Sequence, residues 1–279
     1  MILHLTGGGF FAHTIASDLP YLLDWSAQTG AVVICPEYAL LPKHAFPVAL
    51  NQVYNVYCSL LGSSNSNVDI NNSKVGDVGH VLGFGVSRVV VTGESAGGNL
   101  AAALCVKLCT EGKLLEDPSS SSSSSFLRLP DALMMSCPAL NLSLELSPSR
   151  VIGNDDPVLP SGLISAISDA YLADHGNKKD PLASPLFAPD SVLRRFPPTL
   201  LFASSEDPLL DDSVAFNQRL RNLGVASELR ATHHVPHAYW GLGTAGFPQA
   251  QQVQKECAAF LQQQLSPEVD NHNNTTNDL

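Results

Sequence analysis

Basic residues are scarce in this chain. Lysine and arginine number 15 against 26 aspartates and glutamates, so the 279 residues carry a formal charge of −11. No basic stripe is available to neutralise phosphates, which excludes nucleic acid as a partner. The same acidity disfavours anionic membrane surfaces and anionic substrates, leaving a neutral substrate. Long apolar runs are missing too. No stretch approaches the roughly 18 residues of a membrane span. The opening "MILHL" is too short for a signal peptide and lacks its positive flank. Cysteine is sparse and scattered, at Cys35, Cys58, Cys105, Cys109, Cys137 and Cys257. Cys105 and Cys109 share a helix face, but no His or Cys joins them at zinc-like spacing. The six read as free buried thiols with no metal site, in a reducing, cytoplasmic compartment.

What is present is a globular composition, 44% hydrophobic and 15% charged, in a chain long enough for one substantial core. Short β-rich runs alternate with helical ones. "MILHL", "AVVIC", "RVVVTG", "DALMMSC", "TLLFAS" and "ASELRAT" read as strands. Between them, segments such as "LPYLLDWSAQTG", "PVALNQVYNVYCSLL" and "DDSVAFNQRLRNLG" repeat apolar residues at a spacing near 3.6. Gly30 and Gly224 stand where helices end, each just before a strand. This alternation predicts an α/β fold, a mostly parallel sheet covered by helices on both faces. One domain spans 1–265. It is interrupted by polar insertions at 62–85 and 116–126 with little fixed structure, and 266–279 reads as a disordered tail.

The stretch "RVVVTGESAGGNLAAAL" carries the chemistry. A β-branched strand enters Gly93-Glu94-Ser95-Ala96-Gly97 and a helix follows at once, the context of a nucleophile elbow. The serine must sit at the apex of a strained turn with its hydroxyl exposed, and Gly93 and Gly97 give it steric clearance. A serine hydroxyl needs a base, and the base needs an orienting carboxylate. Glu206 and Asp207 follow the strand "TLLFAS", at the strand end where α/β sheets present functional groups. Asp211 and Asp212 read as N-caps of the next helix. His233, His234 and His237 follow the last strand, and His237, just past Pro236, has the longest reach back over the sheet. The three glycines of "LTGGGFF" form a loop whose amides can face an oxyanion, together with the amide of Ala96. Phe10, Phe11, Tyr239 and Trp240 are candidates for an acyl pocket.

These motifs, with "EYALLPKHAFPVAL", "DDPVLPSGLISAISDAY", "SPLFAPDSVLRRFPPTLLFASSEDPLLDD" and "VPHAYW", resemble the catalytic domain of the hormone-sensitive lipase family of α/β-hydrolases. The likeness runs to about residue 265. It implies the α/β-hydrolase fold, a triad of Ser95, Asp207 and His237, and an oxyanion hole of Gly8, Gly9 and Ala96. It also implies a serine carboxylester hydrolase acting on neutral, lipid-like esters without metal or organic cofactor, and association with lipid droplets or a membrane surface. Departures are visible. Thr6 stands where the family has a histidine before the glycines, and His4 lies two residues too early to replace it, so a looser oxyanion hole is expected. Ala238 stands where glycine usually follows the catalytic histidine. Lys43 replaces an acidic residue, so a carboxylate contact is expected to be missing. The family's first strands and lid have no counterpart before "MILHL". This reads as an N-terminally short chain whose "AVVIC" strand becomes an apolar edge, unless a partner domain supplies the missing strands. The competing reading is a non-catalytic small-ligand receptor, or an inactive fragment, on the same fold; a peptidase is a third.

Overall fold

The parallel sheet follows from strands that are apolar on both faces. In the computed structural model, which describes residues 1–13, 15–61, 84–111, 128–173 and 175–266, six strands form one sheet. They are β1 (Ile2–Leu5), β2 (Val33–Ile34), β3 (Val90–Glu94), β4 (Ala132–Ser136), β5 (Thr199–Ser204) and β6 (Ser227–Thr232). The order is β2-β1-β3-β4-β5-β6, with every neighbouring pair parallel. Interleaved with them are the helices α1 (Ile15–Thr29), α2 (Val48–Leu61), α3 (Ala96–Glu111), α4 (Pro148–Ile152), α5 (Ser161–Tyr171), α6 (Asp190–Leu193), α7 (Leu210–Asn222) and α8 (Pro248–Leu265). The expected α/β architecture is therefore observed. Insertion residues 62–83 and 116–126 and tail residues 267–279 lie outside the described residues.

The period of two along each strand sorts side chains onto two cores. Leu3, Leu5, Val91, Leu133, Met135 and Leu201 point to one face, where α2, α3 and α7 pack. Ile2, Val90, Met134, Leu200 and Phe202 point to the other, against α1 and α8. The Ala-rich α3 lies against the middle of the sheet with Leu100 to Cys105 fully buried. Its small residues let it approach the strands closely.

The sheet ends at β2. Of the anticipated strand 31–35 only Val33 and Ile34 pair, in register with Ile2 and Leu3, and Val32 is 41% exposed. Gly30 and Gly224 adopt positive φ, 68° and 83°, as helix terminators before a strand do. Asp211 and Asp212 correct the expectation of N-caps. They sit in the first turn of α7, but no side chain caps that helix. Asp211 accepts from the Ser149 amide at 2.7 Å, and buried Asp212 pairs with Arg150 at 3.1 Å and accepts from the Asn141 amide. Tertiary partners outcompeted the local cap. All six cysteines are free; Cys35 and Cys58 are half-buried and the other four are buried. No helix among the described residues is long and apolar enough to cross a membrane.

Candidate active site

The site is built at the carboxyl ends of β3, β5 and β6 together with the loop after β1. Ser95 leaves β3 with φ 57°, a left-handed conformation that a serine adopts only when its surroundings impose it. Those surroundings are tight. A Cβ on Gly97 would lie 1.9 Å from the Leu5 carbonyl oxygen, and one on Gly93 would lie 2.4 Å from the Gly97 oxygen. Only glycine at both positions lets β3 turn into α3 against β1. The apex is fixed further by the Ser95 amide, which donates to the Ser136 carbonyl at 2.9 Å.

Three side chains far apart in sequence converge there. His237 Nε2 lies 2.8 Å from Ser95 Oγ, and His237 Nδ1 lies 2.8 Å from Asp207 Oδ2. Asp207 also accepts from the Leu209 amide at 2.7 Å, which locks its rotamer. All three are buried, with Ser95 the most open at 8%. The other candidates stand apart. His233, His234 and Glu206 are exposed, and Glu206 accepts from the Val235 amide instead. Burial by itself would lower the imidazole pKa. The Asp207 carboxylate, by charge and hydrogen bond, with Glu94 and Asp156 behind it, outweighs that and holds His237 above its ordinary value.

The glycine loop adopts φ of 106° at Gly8 and 59° at Gly9, followed by 61° at Phe10. A Cβ on Gly8 would lie 2.3 Å from the Ala12 carbonyl oxygen. The Gly8 carbonyl accepts from the Phe11 and Ala12 amides. Among the described residues, no carbonyl or side chain takes the amides of Gly8 and Gly9. The hydroxyl of Thr6 is buried without a partner among those residues, and the loop is held instead by the Tyr38 hydroxyl on the Thr6 carbonyl at 2.7 Å. His4 does not brace the loop. It faces the other side of the sheet, bonded to Thr92 Oγ1 at 2.8 Å and near Asp18 and Tyr21. Lys43 is exposed.

Two apolar cavities flank Ser95. A cleft on the imidazole side is lined by Gly8, Phe11, Val158, Leu159, His237 and Ala238. A narrower recess on the Ala96 side is lined by Phe10, Leu142, Leu159, Ile164 and Leu209. Phe10 and Phe11 therefore reach these cavities. Tyr239 and Trp240 do not; both are fully buried against α1 and α8, so the acyl-pocket expectation for them is corrected. A large aromatic in the last motif serves the core because the chain there dives back beneath the sheet.

Two residues around the triad were not legible beforehand. Glu94, buried under the nucleophile, accepts from the Trp240 amide at 3.1 Å and the Ser136 hydroxyl at 3.3 Å. Burial, then the charge of Asp18, pushes its pKa up to about 7. Asp156 accepts from the His237 amide at 2.8 Å. Cys137 places its sulfur within 4.8 Å of ligand atoms of Asp207 and His237. Its thiol is held well above the usual range by burial and by Asp207, so it stays protonated, a poor metal ligand.

The model of the alpha/beta hydrolase fold family matches residues 2–241. The chain belongs to that family. This α/β hydrolase is 29% identical over 240 residues to an esterase of Gibberella moniliformis, covering 86% of the chain and 66% of the relative. It is 32% identical over 187 residues to the hormone-sensitive lipase of Homo sapiens, covering 63% of the chain but 14% of that protein. The resemblance to the hormone-sensitive lipase family read from the motifs is thus borne out. Among solved structures, carboxyl esterase 2 of Tuber melanosporum superposes with a TM-score of 0.78 at 23% identity, covering 95% of this chain and 78% of that one. At that identity the likeness speaks for the fold. The α/β hydrolase spans just under two thirds of the length of the fungal esterase it matches.

Proposed function

We propose that this α/β hydrolase is a serine carboxylester hydrolase that works through an acyl-enzyme on Ser95. The observation that carries the reading is the unbroken line Ser95 Oγ, His237, Asp207, with both contacts at 2.8 Å, opening onto apolar cavities beside loop amides that no group among the described residues takes. His237 Nε2 takes the hydroxyl proton as Ser95 attacks the ester carbonyl. Asp207 holds the proton on Nδ1 and stabilises the imidazolium. The amides of Gly8, Gly9 and Ala96 receive the oxyanion, an interaction whose loss costs roughly 3–4 kcal/mol of barrier per donor. His237 then protonates the leaving alcohol, and water attacks the acyl-enzyme by the reverse proton path. No step draws on a metal or organic cofactor.

The imidazole must reach the leaving oxygen, so the alcohol occupies the cleft that His237 lines and the acyl chain occupies the recess beside Ala96. The apolar walls support a neutral, lipid-like ester. Leu146 is 85% exposed, Val151 58% and Val158 48%. Val158 lines the cleft, and Leu146 and Val151 share an open groove with Ile164 of the recess. That apolar rim supports contact with an uncharged lipid surface.

A fluorophosphonate probe should label the wild-type protein and fail to label Ser95→Ala. Hydrolysis of p-nitrophenyl esters from acetate to palmitate then ranks acyl length. A wild-type protein inert to probe and esters, while binding a small ligand, would overturn the hydrolase reading in favour of a receptor.

A further inference from the structure

We propose that Asp156 is a positioning residue of the reaction, one buried carboxylate that ties the turn walling the substrate cleft to the backbone of His237. This rests on the hydrolase reading above.

The loop carrying His237 does not hold its own shape. Two of its non-glycine residues, His234 at φ 60° and Ala238 at φ 54°, are left-handed, a conformation that crowds the Cβ against the following carbonyl oxygen. Such a loop keeps its form only when the surroundings impose it. Three carboxylates hold backbone amides of this loop: Glu206 holds Val235 at 3.3 Å and also His234, Asp156 holds His237 at 2.8 Å, and Glu94 holds Trp240 at 3.1 Å. Of these, Asp156 grips the amide of the imidazole residue itself, across 81 positions of sequence.

Asp156 is 6% exposed, and both its oxygens are engaged. While Oδ2 takes the His237 amide, Oδ1 accepts from the amides of Val158 and Leu159, each at 2.8 Å. Val158 lines the cleft, and Leu159 lines both the cleft and the recess. The segment leading to this turn is seated on the loop of the third triad member. Ser149 Oγ donates to the Pro208 carbonyl at 3.0 Å, and Gly153 lies so close that a Cβ there would meet the Glu206 oxygen and the Pro208 nitrogen at 2.7 Å. Cavity wall, acid loop and imidazole loop are thereby joined, with Asp156 the link to the imidazole. A substrate pressing on Leu159 acts, through one rigid carboxylate, on where the ring stands.

Asparagine dissects the link. Its amide oxygen keeps the Val158 and Leu159 turn, while its NH2 group opposes the His237 N–H, two donors face to face. Asp156→Asn should lower kcat for p-nitrophenyl butyrate on the order of 10- to 100-fold, the effect of misplacing a catalytic group by about 1 Å, with KM changed less than about threefold. The acid limb of the kcat/KM profile should move to lower pH, since the ring loses one of the negative charges facing it and keeps Asp207, with Glu94 charged only toward the upper end of that limb; the protonated Cys137 thiol adds none. A folded Asp156→Asn protein with wild-type kcat and an unmoved acid limb overturns the proposal. A wild-type protein inert to the probe sinks the hydrolase reading itself, a separable result. The second measurement needs no variant. In wild-type protein carrying an alkyl phosphonate on Ser95, hydrogen exchange should slow together in residues 156–159 and 235–240. Slowing in the first segment with none in the second overturns the link.

Discussion

Replacing Glu94 with glutamine tests what burial of a carboxylate beneath the nucleophile does to this protein. In the folded state, removal from water and then the charge of Asp18 raise its pKa from 4.5 to about 7; the Trp240 amide, the His237 imidazole and the Ser136 hydroxyl oppose the rise without cancelling it. In the unfolded chain the group titrates at about 4.3. Between those values the folded state keeps a proton that the unfolded state has released. Stability therefore falls as pH rises from about 4 to about 7, and this contribution is level above that. A shift of this size corresponds to about 3 kcal/mol. Glu94→Gln keeps an acceptor for Trp240 and Ser136 but no longer titrates. Whatever the two proteins' difference at pH 4.5, it should move by about 3 kcal/mol in the variant's favour by pH 8. His237, whose raised pKa also makes stability fall as pH rises through it, loses the Glu94 charge in the variant and is raised less there, which shifts the comparison in the same direction. Urea unfolding of both proteins at pH 4.5, 6, 7 and 8 measures the difference. Parallel curves, or a variant that loses ground toward high pH, would refute the reasoning.

Further outcomes follow from backbone geometry. Gly97→Ala places a methyl 1.9 Å from the Leu5 oxygen and 2.6 Å from the Thr6 oxygen. Because both obstacles are main chain, the substitution should destabilise by at least about 3 kcal/mol, visible as a lower urea midpoint. Ala238→Gly relieves a left-handed alanine at φ 54°. It should stabilise by about 1 kcal/mol and raise the melting temperature by about 2–4 °C, and a lower melting temperature would contradict the strain argument.

Much of the fold was legible because it is local. Strand alternation and helical spacing need only neighbours in sequence, and the sheet of parallel strands follows from their order. β5 appeared at its anticipated bounds, Thr199–Ser204. "AVVIC" shrank to Val33–Ile34, since pairing depends on a partner strand as much as on propensity. Asp211 and Asp212 misled for the opposite reason: a first-turn aspartate suits capping, but Ser149 and Arg150, some 62 residues away, took their oxygens.

The sequence alone marked the candidate nucleophile, its glycine frame and the glycine loop, because each is a constraint on one short stretch of backbone. The tertiary structure decided which of three histidines faces Ser95, that Asp207 and not Glu206 holds it, that Tyr239 and Trp240 belong to the core, and that Glu94 and Asp156 grip the imidazole loop. Those are contacts between segments dozens of residues apart. A carboxylate's partner across such a distance is set by how the sheet and its loops pack, which no local pattern encodes.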